Sequence, residues 1–380
     1  MKISVSPGDG IGPEIMDVVL DIFRVAQVPL EFEMVPMGKQ VTLAGEATGI
    51  SPEAKRSVEA TGILFKGPME TPSGGGYKSV NVTARKMWGA FANKRVYRLL
   101  PGVPTPLNLR ELDLTMVREN IEDTYGGVEH MQTHDVAQCR RFITRPGSEQ
   151  VHRYAFAMAA RKGARRITCA HKANIMKQTD GLFLKTFYEV AAEYPEIEAD
   201  DVIVDALAMR LVLQPESFDV VVLPNLQGDI LTDLAAGLVG GLAYAPSANI
   251  GESVCIFEAV HGTAPDIVGR DLANPTALLL SGMMMLRHLD LVEHAEAIEG
   301  ALERTLVKLH ERKDLSDFVP AFSTSIFRHL MLSELKGLEP VKGKAELPAR
   351  APREAPRMLV SPTPASTQLR GVDVFLESAL

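Results

Sequence analysis

Cysteine is scarce in this chain of 380 residues: there are three, Cys139, Cys169 and Cys255, far apart and in unlike contexts. That excludes a disulfide framework and a zinc site of ordinary spacing, and suits a reducing cytoplasm in which the thiols are packing residues. Long hydrophobic runs are missing too. The longest, residues 276–286, is interrupted by Ser281 and Gly282 and falls short of the roughly 20 residues a membrane-spanning helix needs. It predicts a buried core helix and no membrane partner. Positive charge is not in excess, since 40 Lys and Arg against 48 Asp and Glu give a formal charge of -8. No basic run is present to hold nucleic-acid phosphates, so no nucleic-acid partner is expected. The N-terminus has no basic segment leading an apolar one, which predicts a cytoplasmic protein. With 46% hydrophobic and 23% charged residues, the chain is long enough to bury a sizeable core in two or three domains.

Apolar residues Ile15, Val18, Val19, Ile22, Val25 and Ala26 recur at helical spacing behind Pro13, so a short strand leads through Gly8, Asp9 and Gly10 into a helix. The spacing Gly8, Gly10, Gly12 does not match the G-x-G-x-x-G dinucleotide fingerprint and reads as a tight strand-to-helix turn. The β-rich runs 63–65, 167–170, 202–204 and 220–223 alternate with helical stretches such as 182–194, which means α/β layers. From residue 338 prolines are spread among charged and small residues as in an extended tail, whose last stretch, 371–376, has the composition of a strand.

Four segments carry chemistry. In the segment from Asn225 to Asp233, Asp229 and Asp233 stand four residues apart at the start of a helical pattern and point to one side. They are either a solvated acidic face or a site for a hard cation. Asp205, read as ending the strand 202–204, would add a third carboxylate, and three can hold Mg²⁺ or Mn²⁺. A loop rich in glycine, 71–79, leads to Asn81, Arg85 and, ten residues on, Arg95. Arginine's planar fork pairs bidentately with carboxylates, so Arg85, Arg95 and Arg118 either grip a polycarboxylate or are ordinary ion-paired residues. Tyr125, beyond the strand-like run 114–117 and Arg118, has an acid's hydroxyl. Lys172, directly after the strand 167–170, becomes a base where neighbouring arginines lower its pKa.

Together and in this order, these segments resemble the isocitrate and isopropylmalate dehydrogenase family, from Ile3 to about residue 330. The resemblance implies an α/β, two-domain fold that is not a Rossmann fold, with a large domain of residues 1–90 and 241–335. It also implies a small domain, 91–240, with a dimer-forming clasp at about 123–145, before the proline-rich tail 336–380. It implies a homodimer with shared active sites. Asp229 and Asp233 are metal ligands with Asp205 of the other subunit; Ser79, Asn81, Arg85, Arg95 and Arg118 bind substrate. Lys172 of the partner subunit takes the proton from the C2 hydroxyl, and Tyr125 protonates C3 after carbon dioxide leaves. Contacts to the nicotinamide cofactor fall to Thr71, Asn174, Glu258, His261, Gly262, Ala264, Asp266, Ile267 and Asn274.

Within the family, Ser and Asn before the first arginine mark isocitrate enzymes, and this chain has Ser79 and Asn81; isopropylmalate or homoisocitrate is the runner-up. NADP-using members have Lys-Tyr where this chain has Asp266 and Ile267, and an acid there accepts from a ribose 2′-hydroxyl but repels a 2′-phosphate, which predicts NAD. The chain departs from the pattern at Val96, at Gln227 and at 322–327, which lacks the usual adenine-side residues. A non-catalytic regulatory subunit is the rival of another class, although Tyr125, Lys172, Asp205, Asp229 and Asp233 are all present.

Overall fold

The structure, a computed structural model, describes residues 1–71, 78–106, 111–311 and 322–336. The glycines 74–76, the tail beyond Lys336 and the strand expected at 371–376 lie outside the described residues. The first half of the chain runs β1 (Lys2–Ser6), α1 (Gly12–Val25), β2 (Glu31–Met34), α2 (Lys39–Leu43), α3 (Pro52–Thr61), β3 (Ile63–Lys66), α4 (Val80–Met87), β4 (Ala92–Arg98), β5 (Asp113–Glu119), β6 (Asp123–Thr133), β7 (Val136–Phe142) and α5 (Arg145–Lys162). The second half runs β8 (Arg166–His171), α6 (Thr179–Ala191), β9 (Glu198–Ile203), α7 (Val204–Leu213), β10 (Val220–Leu223), α8 (Asn225–Leu238), β11 (Pro246–Ile250), β12 (Cys255–Ala259), α9 (Thr276–His288), α10 (Val292–Glu311) and α11 (Thr324–Lys336).

Local chemistry sets these boundaries. Pro13 occupies the first turn of α1, where its missing donor is no loss, and Ile15, Val18, Val19 and Ile22 fall on one buried face. Ser51 caps α3 by accepting from the Ala54 amide at 3.0 Å, and Gly62 ends it at φ +70, a left-handed conformation that costs a residue without Cβ little. Thr144 caps α5 in the same way, accepting from the Gly147 amide at 3.1 Å.

Ten strands form one sheet in the order β2-β1-β3-β12-β11-β4-β5-β10-β8-β9, while β6 and β7 pair as a separate antiparallel hairpin. Both flanks of the sheet are parallel. Between them lies an antiparallel seam, β12-β11-β4-β5. This mixed order is not that of a doubly wound dinucleotide fold. Helices cover both faces, so β10 is buried at every residue and reads as an unbroken apolar run. The glycine loop is the strand-to-helix turn its spacing predicts: Gly8 and Gly10 have φ of +78 and +60, and a Cβ on Gly10 would sit 2.1 Å from the Thr263 carbonyl oxygen. The run 276–286 is a buried helix, in which a Cβ at Gly282 would meet the Phe23 ring at 2.5 Å.

Three expectations need correction. Val204 opens α7 instead of continuing a strand, because the run 202–204 bends into a helix at its last residue, so Asp205 sits in a first helical turn. Arg118 belongs to β5 and does not follow it. Cys169 and Cys255 are buried, but Cys139 is exposed on β7, because the hairpin leaves the sheet and packs no thiol. Among the described residues no helix is long and apolar enough to cross a membrane.

Candidate active site

The antiparallel seam turns register into chemistry. Directly opposed residues share a sheet face, so Glu258 of β12 stands beside both Lys66 of β3 and Ser247 of β11, and Ser247 stands beside Arg95 of β4. One rung along the same face, Asn249, Asn93 and Arg118 line up across β11, β4 and β5. These two buried polar rungs are tied together. Asn93 Nδ2 donates to Ser247 Oγ at 2.7 Å and to Asn249 Oδ1 at 2.9 Å, Arg95 Nε donates to Asn93 Oδ1 at 2.9 Å, and Asn249 Nδ2 donates to Glu258 Oε1 at 2.7 Å. Lys66 and Glu258 form an ion pair with almost no solvent exposure, and Arg85, from α4, reaches Glu258 Oε1 at 3.0 Å. Burial opposes ionisation of Glu258, but Lys66 and Arg85 outweigh it and hold the carboxyl well below its usual range.

Helix α8 lies across these rungs and presents both of its aspartates to them. Arg118 pairs with Asp229; Arg95 donates to Asp233 Oδ1 at 2.8 Å and approaches Asp229 Oδ1 at 3.7 Å. Gly228 makes this approach possible, since a Cβ there would lie 2.6 Å from Arg118 Cγ. Arg118 is buried and fixed further by Asn225, whose backbone oxygen accepts from Nε at 2.9 Å and whose Oδ1 accepts from Nη2 at 2.7 Å. Its guanidinium stacks 4.8 Å from the centre of the Tyr125 ring, a favourable cation–π arrangement. Tyr125 donates to Asp229 Oδ2 at 2.5 Å. Burial and that bond raise the pKa of the phenol, keeping it protonated. Burial acts against the charge on Asp229, but Arg118, the Tyr125 hydroxyl and Arg95 together hold its carboxyl below the ordinary value. Asp229 and Asp233 nonetheless keep 39% and 54% exposure.

A cleft of about 330 Å³ opens over the rungs, and Thr71, Asn81, Arg85, Arg95, Glu258, His261 and Gly262 of the expected site residues line it. Asn81 Oδ1, Arg85 Nε and His261 Nε2 are buried there without a hydrogen-bond partner among the described residues. Thr71 Oγ1 donates to Ser79 Oγ at 3.0 Å, and Ser79 caps α4. Ala264, at φ +40, leads into a short turn holding Asp266 and Ile267. The Asp266 side chain is exposed, and its backbone oxygen accepts from Arg270 Nη1 at 3.2 Å. Asn274 Oδ1 accepts from the Thr276 amide at 3.0 Å at the start of α9.

One group of expected site residues stands apart. Lys172 and Asn174 occupy the turn after β8, and Lys172 Nζ pairs with Asp205, lowering the pKa of that carboxyl. Like Arg118, Tyr125, Asp229 and Asp233, these three do not line the cleft, and among the described residues no three His, Cys, Asp or Glu side chains gather to hold a metal ion. Within one chain Asp229 and Asp233 are therefore brought together and Asp205 is not.

Sequence reasoning missed Lys66, Asn93, Ser247 and Asn249, which show only as polar residues inside strands until the register is known. It also missed Asp9, whose carboxylate accepts from the amides of Lys39 at 3.0 Å and Glu70 at 2.9 Å and so joins the glycine turn to the cleft rim.

Glu119, next to Arg118, offers a test of this buried polar layer. Burial pushes its carboxyl up to about 7 despite amide donors at Ile121 and Glu122. A folded-state value above the ordinary 4.5 means that the folded protein binds this proton more tightly. The contribution is complete below the ordinary value and is lost as pH rises through the folded one. Glu119→Gln should therefore be more favourable relative to wild type, by roughly 3 kcal/mol, at about pH 8 than at about pH 4. Urea unfolding at both values reads this, and parallel pH slopes for the two proteins would contradict it.

Residues 2–329 match the profile of the isocitrate/isopropylmalate dehydrogenase family, and the chain belongs to that family. An isocitrate dehydrogenase (NADP) of Thermus thermophilus is 45% identical over 384 residues, spanning all of this chain and 76% of the relative. The isocitrate dehydrogenase (NAD) catalytic subunit 5 of Arabidopsis thaliana is 47% identical over 85% of this chain and 87% of its own length. A chloroplastic 3-isopropylmalate dehydrogenase of Solanum tuberosum is 47% identical over 80% of this chain and 85% of its own. The crystal structure of isocitrate dehydrogenase from Methylococcus capsulatus superposes with a TM-score of 0.82 at 42% identity, over 88% of this chain and 99% of that one.

Proposed function

We propose that the protein is an isocitrate dehydrogenase that converts isocitrate to 2-oxoglutarate and carbon dioxide with NAD as hydride acceptor and Mg²⁺ or Mn²⁺ as metal. The observation that carries the substrate is the floor of the cleft. Asn81 Oδ1 and Arg85 Nε are buried and unpartnered beside Arg95. A carboxylate can accept from Arg85 Nε, whereas an isopropyl group would leave that buried donor unsatisfied at roughly 1–3 kcal/mol.

In this reading Arg85, Arg95 and Arg118 bind and orient the carboxylates of isocitrate, their positions fixed by Glu258, Asn93 and Asn225. The partner subunit's Lys172 accepts the proton of the C2 hydroxyl. Tyr125, held protonated by burial and by Asp229, delivers a proton to C3 once carbon dioxide has left. Asp229 and Asp233, half exposed hard oxygen donors, fit a divalent cation together with the partner subunit's Asp205; when bound, the cation supplies electrostatic stabilisation of negative charge on the substrate oxygens. The nicotinamide supplies the hydride acceptor, and the loop from Glu258 to Ile267, with Thr71, Asn174 and Asn274, would hold it.

In this reading a second copy supplies Lys172 and Asp205, which pair with each other in their own chain, while among the described residues no third carboxylate joins Asp229 and Asp233. Exposed apolar residues offer the contact: Met209, Val212 and Leu213 on α7, Leu226 and Ile230 on α8, and Val128, Met131 and Val136 on the hairpin. Residues 1–90 with 241–335 form the cofactor-side domain, 91–240 the other, and β6–β7 the clasp.

NADP is the second reading for the cofactor. Arg270 reaches the turn that carries Asp266, and its charge suits a 2′-phosphate. Absorbance at 340 nm, with isocitrate or isopropylmalate and with NAD or NADP, tests all of this. Isocitrate with NAD is expected to exceed every other combination at least tenfold in kcat/KM, roughly 1.4 kcal/mol. A preference for NADP assigns Arg270 the phosphate, a preference for isopropylmalate overturns the reading of Asn81, and no turnover at all points to a regulatory subunit.

A further inference from the structure

We propose that Arg141 is a positioning residue that sets Tyr125 and Lys172 from one buried charge cluster, so that the acid a protomer keeps and the base it lends are held by the same three side chains. The inference rests on the composite-site reading above. Arg141, on β7, donates from Nε to Asp123 Oδ1 at 2.5 Å and from Nη2 to Asp123 Oδ2 at 3.3 Å, while Nη1 pairs with Asp180. Both carboxylates are completely buried, and one guanidinium serves them both.

Each carboxylate also grips backbone. Asp123, two residues before Tyr125, accepts from the Thr124 amide at 2.8 Å and from the Leu226 amide, at the start of α8, at 3.0 Å. It does so at φ +66, a left-handed conformation that a non-glycine residue keeps only when its surroundings enforce it. Asp180, in the first turn of α6, accepts from the backbone amide of Lys172 itself at 2.6 Å and from Gln227 Nε2 at 3.1 Å. The cluster thus spans the hairpin, the Tyr125 strand, the Lys172 turn and the helix of Asp229. A planar fork with donors on two edges is needed to reach two carboxylates at once. In a dimer whose sites exchange Lys172, a shift of Arg141 reaches both sites: one through Tyr125, the other through the lent lysine.

Arg141→Lys keeps the charge and loses the fork. The variant is expected to lose roughly 10- to 100-fold in kcat, the cost of a small misplacement of reacting groups, with the KM for isocitrate within about two-fold of wild type because Arg85, Arg95 and Arg118 are untouched. Two partial reactions separate positioning from general damage. Exchange of the C3 hydrogens of 2-oxoglutarate with deuterated solvent reads the Tyr125 step, and single-turnover hydride transfer reads the Lys172 step. Both should fall by similar factors. A variant with unchanged kcat, a loss confined to KM, or a fall in one partial reaction alone overturns the shared positioning. Should Arg141→Lys not fold, Asp180→Asn, which retains an acceptor for the Lys172 amide, carries the same expectation; failure of both variants to fold would make the cluster a folding element and also overturn it. Absence of isocitrate turnover in the parent protein sinks the functional reading before Arg141 is touched, so the two failures are distinguishable.

Discussion

Glu258→Leu is expected to destabilise the folded protein by about 3–5 kcal/mol, because it strips the counter-ion from a fully buried cation. Lys66 is 1% exposed; its other hydrogen bond goes to the Gly67 carbonyl at 3.1 Å, which supplies no charge. Arg85, the other partner of Glu258, is 14% exposed and can turn toward water in the cleft, so Lys66 carries most of the penalty. Adding Lys66→Met to the same chain removes the orphaned charge and should restore most of the loss, since replacing a whole buried pair with apolar side chains is often neutral or better. Urea midpoints for the two single variants and the double variant close the cycle. A Glu258→Leu variant within about 1 kcal/mol of wild type would mean that Lys66 is not held as a buried ion. The double variant should still be a poor enzyme, because Glu258 also fixes Arg85 and Asn249. Stability and turnover then part company in one protein.

Tyr125→Phe should lower kcat by roughly 10² to 10⁴-fold, the usual contribution of a positioned acid, with little change in KM. The substitution keeps the ring on which Arg118 stacks at 4.8 Å and removes only the hydroxyl that donates to Asp229. Carbon dioxide release and C3 protonation can be followed separately in deuterated solvent. Retention of wild-type turnover would move the proton donor elsewhere, and the first candidate would be a water in the cleft. A rise in KM matching the fall in kcat/KM would instead make Tyr125 a binding residue.

The parts of the site visible in the sequence are those carried by short-range spacing. Asp229 and Asp233 remain on one face because four residues make about one helical turn, and α8 begins at Asn225, at the start of the segment read as helical. The glycine turn, the buried helix α9 and the alternation of strands with helices follow from local rules in the same way. What stayed hidden depends on pairing across distance. Lys66, Asn93, Ser247 and Asn249 are separate polar residues in three strands, and only the register makes them one layer. Asp205 was placed at a strand end because Val202, Ile203 and Val204 are β-formers, yet Val204 is already helical, tertiary packing having overridden propensity. Arg141 drew no attention because its meaning comes from Asp123 and Asp180, 18 and 39 residues away.

The antiparallel seam also imposes an order of events in time. Lys66 and Arg85 emerge early in synthesis, whereas their counter-ion Glu258 arrives 192 and 173 residues later, and Arg95 must wait for Ser247 before its rung is complete. Contacts of such long sequence separation form slowly, because the entropy of closing the loop is lost before the contact repays it. A nascent chain stopped before β11 therefore holds two cations on the future floor of the cleft without the acid that neutralises them. The central polar layer beneath the cleft is also the part of the sheet that the ribosome finishes last.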